Sequence, residues 1–360
     1  MKATKQLHDL GQSLWLDNIT RELLTSGTLQ RYIDELSVTG LTSNPTIFDH
    51  AITHSSAYDE KVRRLAKLGH SGESLFFELA LEDLKQAADI FAPIYERTAG
   101  VDGWVSLEVS PLLAYDAKST LAEAKALHKK ANRPNLFIKI PGTKEGSAAI
   151  EEAIFFGVPV NVTLLFSREH YRNAADAYMH GLERRLAAGL SPDVHSVASL
   201  FISRWDKAVM DKVPAFLRNK LGIAIGQQTY QAYRDLMDSD RWQRLENQGA
   251  RPQRLLFAST GTKDPEASDV LYINALAASH TVNTMPEKTL LSFYDHGQVR
   301  SFLSRIGGDA EQVIAEFGKA GVDASKLAAD LQKEGAESFE ASWQDLLDTI
   351  ETKTKSFKPV

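Results

Sequence analysis

The chain has no cysteine among its 360 residues. Disulfides, thiolate nucleophiles and cysteine-based zinc sites are excluded, and the composition fits a reducing compartment. A strong charge of either sign is also missing: 41 Lys and Arg against 47 Asp and Glu leave a formal net charge of -6. Such a balance carries no electrostatic footprint for nucleic acid, so no nucleic-acid partner is expected. Long apolar runs are absent too. The longest, AIFFGVPVNVTLLF, is interrupted by Gly157, Pro159, Asn161 and Thr163, and the amphipathic N-terminus MKATKQLHDLGQSLW lacks the apolar centre of a signal peptide. No membrane partner is expected, and the location is expected to be cytoplasmic. The ten histidines are scattered without HExxH spacing, and no GxGxxG follows a strand. Neither a metal nor a dinucleotide cofactor is expected.

What is present is a regular alternation of short strands and helices. Strand-like runs fall at 14–18, 37–45, 104–111, 135–142, 158–167, 195–203, 254–262 and around 279–286, with helical spacing between them. Eight strands each followed by helix predict an α/β fold, a closed parallel (β/α)8 TIM barrel with additional helices. The whole chain, 1–360, reads as one domain with helical insertions around 45–98 and 204–249 and a helical C-terminal tail. The insertions are expected to pack on the barrel away from the chemistry.

The most informative strand is NLFIKIPG. Period-two alternation puts Leu136, Ile138 and Ile140 on one face and Phe137 and Lys139 on the other, so Lys139 points into an interior. An ammonium held there loses hydration, and the neutral amine is a nucleophile for a carbonyl. In WVSLEVSP the same alternation turns Ser106 and Glu108 inward, and in VPVNVTLLF it turns Asn161 and Thr163 inward. Asp17 and Asn44 end the first two strands, on the barrel face where active sites are built. Asp17 could equally cap the following helix. A lysine, two carboxylates and neutral hydrogen-bonding groups in one cavity suit imine chemistry on a polyhydroxylated substrate. Ser199, Arg204 and Lys263, near the ends of the later strands, are candidates for an anionic end of that substrate.

In order, LWLDN, TGLTSNPTIF, VSLEVSP, NLFIKIPGTKEG, VPVNVTLLFS and SVASLFISR resemble the motifs of transaldolases, of the longer bacterial kind, over most of the chain. The resemblance implies a class I aldol transfer in the non-oxidative pentose phosphate pathway, without cofactor or metal. Lys139 would form a Schiff base with C2 of a ketose phosphate, sedoheptulose 7-phosphate or fructose 6-phosphate. Glu108 and a water held by Thr163 would move protons, and Asp17 would take the C4 hydroxyl proton as the C3–C4 bond breaks. Asn44 and Asn161 would hold the dihydroxyacetone unit, Ser199 and Arg204 the phosphate, and Phe201 would wall the pocket. The commoner bacterial enzymes carry an arginine after the seventh strand. Here the loop reads ASTGTKD, and Lys263 is its expected substitute. Two alternatives stay open. One is a fructose 6-phosphate aldolase, whose glutamine and tyrosine correspond to Glu108 and Phe201. The other is a sugar-phosphate-binding barrel without activity. A monomer and a homodimer are both compatible with the sequence.

Overall fold

Eight runs of alternating side chains form the strands β1 (Gln12–Asp17), β2 (Val38–Thr42), β3 (Trp104–Glu108), β4 (Leu136–Pro141), β5 (Val160–Leu165), β6 (Ser196–Phe201), β7 (Arg254–Ala258) and β8 (Thr281–Met285). All neighbours are parallel, each strand pairs with the next, and β8 pairs with β1, so the sheet closes into a (β/α)8 barrel. The computed structural model describes residues 2–357. β5 begins at Val160, later than the apolar run suggests, because Pro159 has no N–H to place in a ladder.

The alternation sorts the barrel into an aliphatic outside and a layered inside. Leu136, Ile138 and Ile140 are fully buried beneath the surrounding helices. Inside, the N-terminal half is filled by Trp15, Trp104 and Phe137, the last two stacked with centroids 3.9 Å apart. Each such pair contributes roughly 0.5–1.5 kcal/mol beyond its buried area. Trp15 fits only because β2 presents Gly40, where a Cβ would lie 2.6 Å from the indole nitrogen. Beneath this layer Arg254 donates to Asp102 at 3.1 Å and to Ser13 Oγ at 2.8 Å, and Trp15 Nε1 also donates to Asp102. The C-terminal half of the interior is left to polar side chains.

The segment 20–36 reads as one helix but forms two, Arg21–Thr25 and Thr28–Leu36. Gly27 between them adopts φ +81°, a left-handed conformation that glycine reaches without a Cβ clash. The first insertion folds as helices Pro45–Thr53, Asp59–Lys67 and Gly72–Arg97, the second as Ser203–Val209, Leu221–Met237 and Asp240–Glu246. No helix among the described residues is long and apolar enough to cross a membrane.

The C-terminal helix Ala324–Ser356 lies across the mouth of the barrel. Gln332 donates to the carbonyls of Gly142 and Leu164, at 3.0 and 2.9 Å, satisfying acceptors that the ends of β4 and β5 leave open. Trp343 packs edge-on against Phe76 at 4.9 Å and donates to Glu73 at 2.9 Å, fixing the helix to the first insertion. Leu164, expected on the outer face of β5, has φ 59° instead, and its side chain turns up against this helix beside Gly335. A left-handed leucine costs about 1–2 kcal/mol, and it sits next to Thr163.

Candidate active site

Sheet register assembles the centre of the site. Glu108 is paired with Lys139, and Lys139 with Asn161, so three inward side chains from β3, β4 and β5 form one row. Lys139 is only 5% exposed. Its Nζ donates to Glu108 Oε2 at 3.2 Å and to the Ser43 carbonyl at 2.9 Å. Glu108 Oε1 and Thr163 Oγ1 are buried with no hydrogen-bond partner among the described residues. Buried polar atoms of that kind are normally satisfied, so both are available to a substrate or a solvent molecule. Burial raises the Glu108 pKa above the usual carboxylate range, and Lys139 opposes the rise. A proton shared within such a pair leaves the net charge of the site unchanged.

Asp17 stands on the other side of the cavity. Its carboxylate accepts from Thr42 Oγ1 at 2.7 Å, and Thr42 in turn contacts Thr284 Oγ1 at 2.7 Å. Capping of the next helix, the alternative role open to Asp17 in the sequence, belongs to Thr20, whose hydroxyl accepts from Leu23 N. Burial raises the Asp17 pKa, opposed by the charge of Lys139 and the Thr42 hydrogen bond. Two carboxylates therefore face one lysine, both biased toward holding a proton.

Asn44 lies beyond the end of β2, where Oδ1 accepts from Ile47 N and caps helix Pro45–Thr53. That leaves its amide hydrogens for the cavity. Asn161 is fully buried. Its Nδ2 donates to Ser106 Oγ at 3.1 Å and its Oδ1 accepts from Ser199 Oγ at 2.7 Å.

The outer part of the cavity is cationic. Arg204, in the first turn after β6, lies over the rings of Phe201 and Phe339 at 5.2 and 5.8 Å. Burial lowers its pKa, as it does that of Lys263, where the Lys207 and Arg204 charges add to the effect. Neither cation is in an ion pair among the described residues, an arrangement that suits a dianion.

These groups surround a cavity of about 270 Å³ at the C-terminal ends of the strands. Asp17, Asn44, Lys139, Asn161, Thr163, Ser199, Phe201, Arg204 and Lys263 line it, and Glu108 adjoins it through Lys139. The structure adds residues that sequence reasoning missed: Thr42, Thr284, Thr46, Ile47, Ser338 and Phe339. The alternation of β2 and β8 could have pointed to the first two. Thr46 and Ile47 bring the first insertion into the site, contrary to the expectation that the insertions stay away from the chemistry. No short-range signal places Ser338 and Phe339 there, because the C-terminal helix arrives by tertiary packing.

A parallel barrel with a buried lysine, two carboxylates and a cationic pair at its C-terminal mouth has the form of a lysine-dependent aldol enzyme. The sequence pattern of the transaldolase/fructose-6-phosphate aldolase family matches residues 14–350, and the chain belongs to that family. It is 46% identical to a transaldolase of Saccharopolyspora erythraea over 96% of this chain and 95% of that protein. It is 42% identical to transaldolase 2 of Streptomyces coelicolor over 99% and 98% of the two chains. Identity to a Mycobacterium bovis transaldolase is 43%, over 94% and 93%.

Proposed function

We propose that this chain is a transaldolase, moving a dihydroxyacetone unit from a ketose phosphate to an aldose phosphate through a Schiff base on Lys139. The observation that carries the reading is the Lys139 Nζ, buried and 3.2 Å from Glu108, in a cavity whose outer part holds Arg204 and Lys263. Relatives named transaldolase over nearly the full chain support it.

Lys139, having passed a proton to Glu108, attacks the C2 carbonyl of fructose 6-phosphate or sedoheptulose 7-phosphate. The carbinolamine loses its hydroxyl as water, with Glu108 returning the proton through a water oriented by Thr163, and an iminium remains. Asp17 takes the proton of the C4 hydroxyl. The C3–C4 electron pair flows into the iminium, giving an enamine on Lys139 and releasing glyceraldehyde 3-phosphate or erythrose 4-phosphate. Attack of the enamine on a second aldose phosphate, with Asp17 returning its proton, reverses these steps. Asn44 and Asn161 hold the hydroxyls of the three-carbon unit, and Ser199 orients Asn161 through their hydrogen bond. Arg204 and Lys263 bind the phosphate, with Phe201 holding the guanidinium from below. No step calls on a metal or cofactor. We place the reaction in the cytoplasm, within the non-oxidative pentose phosphate pathway, where its sugar-phosphate substrates are made and used.

A transfer assay tests this reading. With fructose 6-phosphate and erythrose 4-phosphate together, glyceraldehyde 3-phosphate accumulates catalytically. With fructose 6-phosphate alone, release is expected to stop at one equivalent per site. Continuous release of free dihydroxyacetone without an acceptor would instead make the enzyme an aldolase.

A further inference from the structure

A second cavity, of about 470 Å³, opens at the end of the barrel opposite Lys139, at the N-terminal ends of β1, β3, β4, β6 and β7. Barrel enzymes do their chemistry at the other end, so the aldol reaction leaves this cavity unused. Its volume falls in the range of sites for small organic ligands.

Two features define what it would take. Its inner wall is aromatic. Trp104, stacked on Phe137 at 3.9 Å and 4.9 Å from His195, lines it together with Trp242 and Met237. Burial pushes His195 down to about 4, so the imidazole adds no charge near neutral pH.

The second feature is a guanidinium without a partner. Asp102 is occupied by Ser13, Trp15 and Arg254. Arg251 pairs with Asp193 at 3.1 Å, and Asp238 with Arg305 at 2.6 Å. Glu246 is exposed at the rim, 3.4 Å from the Gln243 amide. Arg234 is different. Half-buried on helix Leu221–Met237, it has a guanidinium with no ion-pair or hydrogen-bond partner among the described residues, and its Nε–H is buried without an acceptor. A guanidinium donor withdrawn from water and left unpaired is costly, and a carboxylate supplied by a ligand would remove that cost with a charge-assisted bond.

We propose that this cavity is a second binding site, for a small aromatic carboxylate whose ring lies against Trp104 and Trp242 and whose carboxylate binds Arg234. Calorimetric titration of the full chain with 2-naphthoate tests it. Saturable one-to-one binding is expected, weakened about tenfold or more by Arg234→Gln, by exchange for the neutral 2-naphthamide, and by Val101→Trp. Val101 lies at the rim and is 48% exposed, so that substitution closes the mouth without disturbing the core. It gives an independent test should Arg234→Gln fold poorly. Arg204→Gln, at the opposite end, is expected to leave naphthoate binding unchanged. Absence of saturable binding overturns the proposal, as does equal affinity for naphthoate and naphthamide. Binding lost in Arg204→Gln but kept in Arg234→Gln places the ligand in the sugar-phosphate cavity, and likewise overturns it.

Discussion

Replacing Lys139 with methionine removes an ammonium 3.2 Å from Glu108 while retaining a linear side chain. At an effective dielectric constant of about 20 the lost attraction is about 5 kcal/mol. Glu108 is then buried without its cation. Burial already raises its pKa with Lys139 present, and the rise grows when the opposing charge is gone. The sign of the pH effect follows. Above the ordinary carboxyl value of 4.5 the unfolded chain gives up this proton while the folded chain keeps it. Stability contributed by the protonated group is complete below that value and is lost as pH rises toward the raised folded value, at about 1.4 kcal/mol per pH unit. Lys139→Met/Glu108→Gln removes the titrating group, and Asp17 remains common to both variants. Urea unfolding is therefore expected to give similar midpoints for the two at about pH 5, with the single variant falling behind toward about pH 8 by up to about 3–5 kcal/mol. A gap that is constant over this range, or that narrows as pH rises, would refute the assignment of Glu108 as the buried partner of Lys139.

Three further predictions address the rest of the site and the barrel. Asp17→Asn is expected to leave imine formation intact while slowing C3–C4 cleavage about 10²–10⁴-fold, seen as adduct that traps normally but releases aldose phosphate slowly in a single-turnover experiment. Arg204→Gln raises KM for fructose 6-phosphate more than Lys263→Ala does in initial-rate measurements, because the Arg204 guanidinium can grip two phosphate oxygens whereas the Lys263 ammonium is a point charge. Gly40→Ala drives a methyl to 2.6 Å from Trp15 and lowers the urea unfolding free energy by about 1–3 kcal/mol, while a Val38→Ala control loses apolar contact without that clash.

The buried polar row was readable from the sequence because period two makes a polar residue among aliphatics conspicuous. Glu108, Lys139, Asn161 and Thr163 each interrupt a run of Val, Leu or Ile, and parallel register then brings them together. Thr42 and Thr284 escaped notice because threonine is an ordinary strand residue, and only their contact with Asp17 and with each other marks them. Leu164 broke the alternation through a left-handed backbone that leucine seldom adopts, so composition gave no warning of its turn toward the C-terminal helix. Ser338 and Phe339 sit on a helix whose amphipathic pattern shows that it packs but not on what. Its partners, Gly142, Leu164 and Phe76, are far away in the chain. Period and capping are local, whereas the closure of the mouth depends on long-range packing.

The central claim, a covalent imine on Lys139 that passes its three carbons to an acceptor, is tested most directly by borohydride reduction of the protein with fructose 6-phosphate, followed by peptide mapping. The account predicts a reduced dihydroxyacetone adduct on Lys139 that disappears when erythrose 4-phosphate is added before reduction. An adduct on a different lysine, or none under conditions where the sugar phosphate binds, would contradict it.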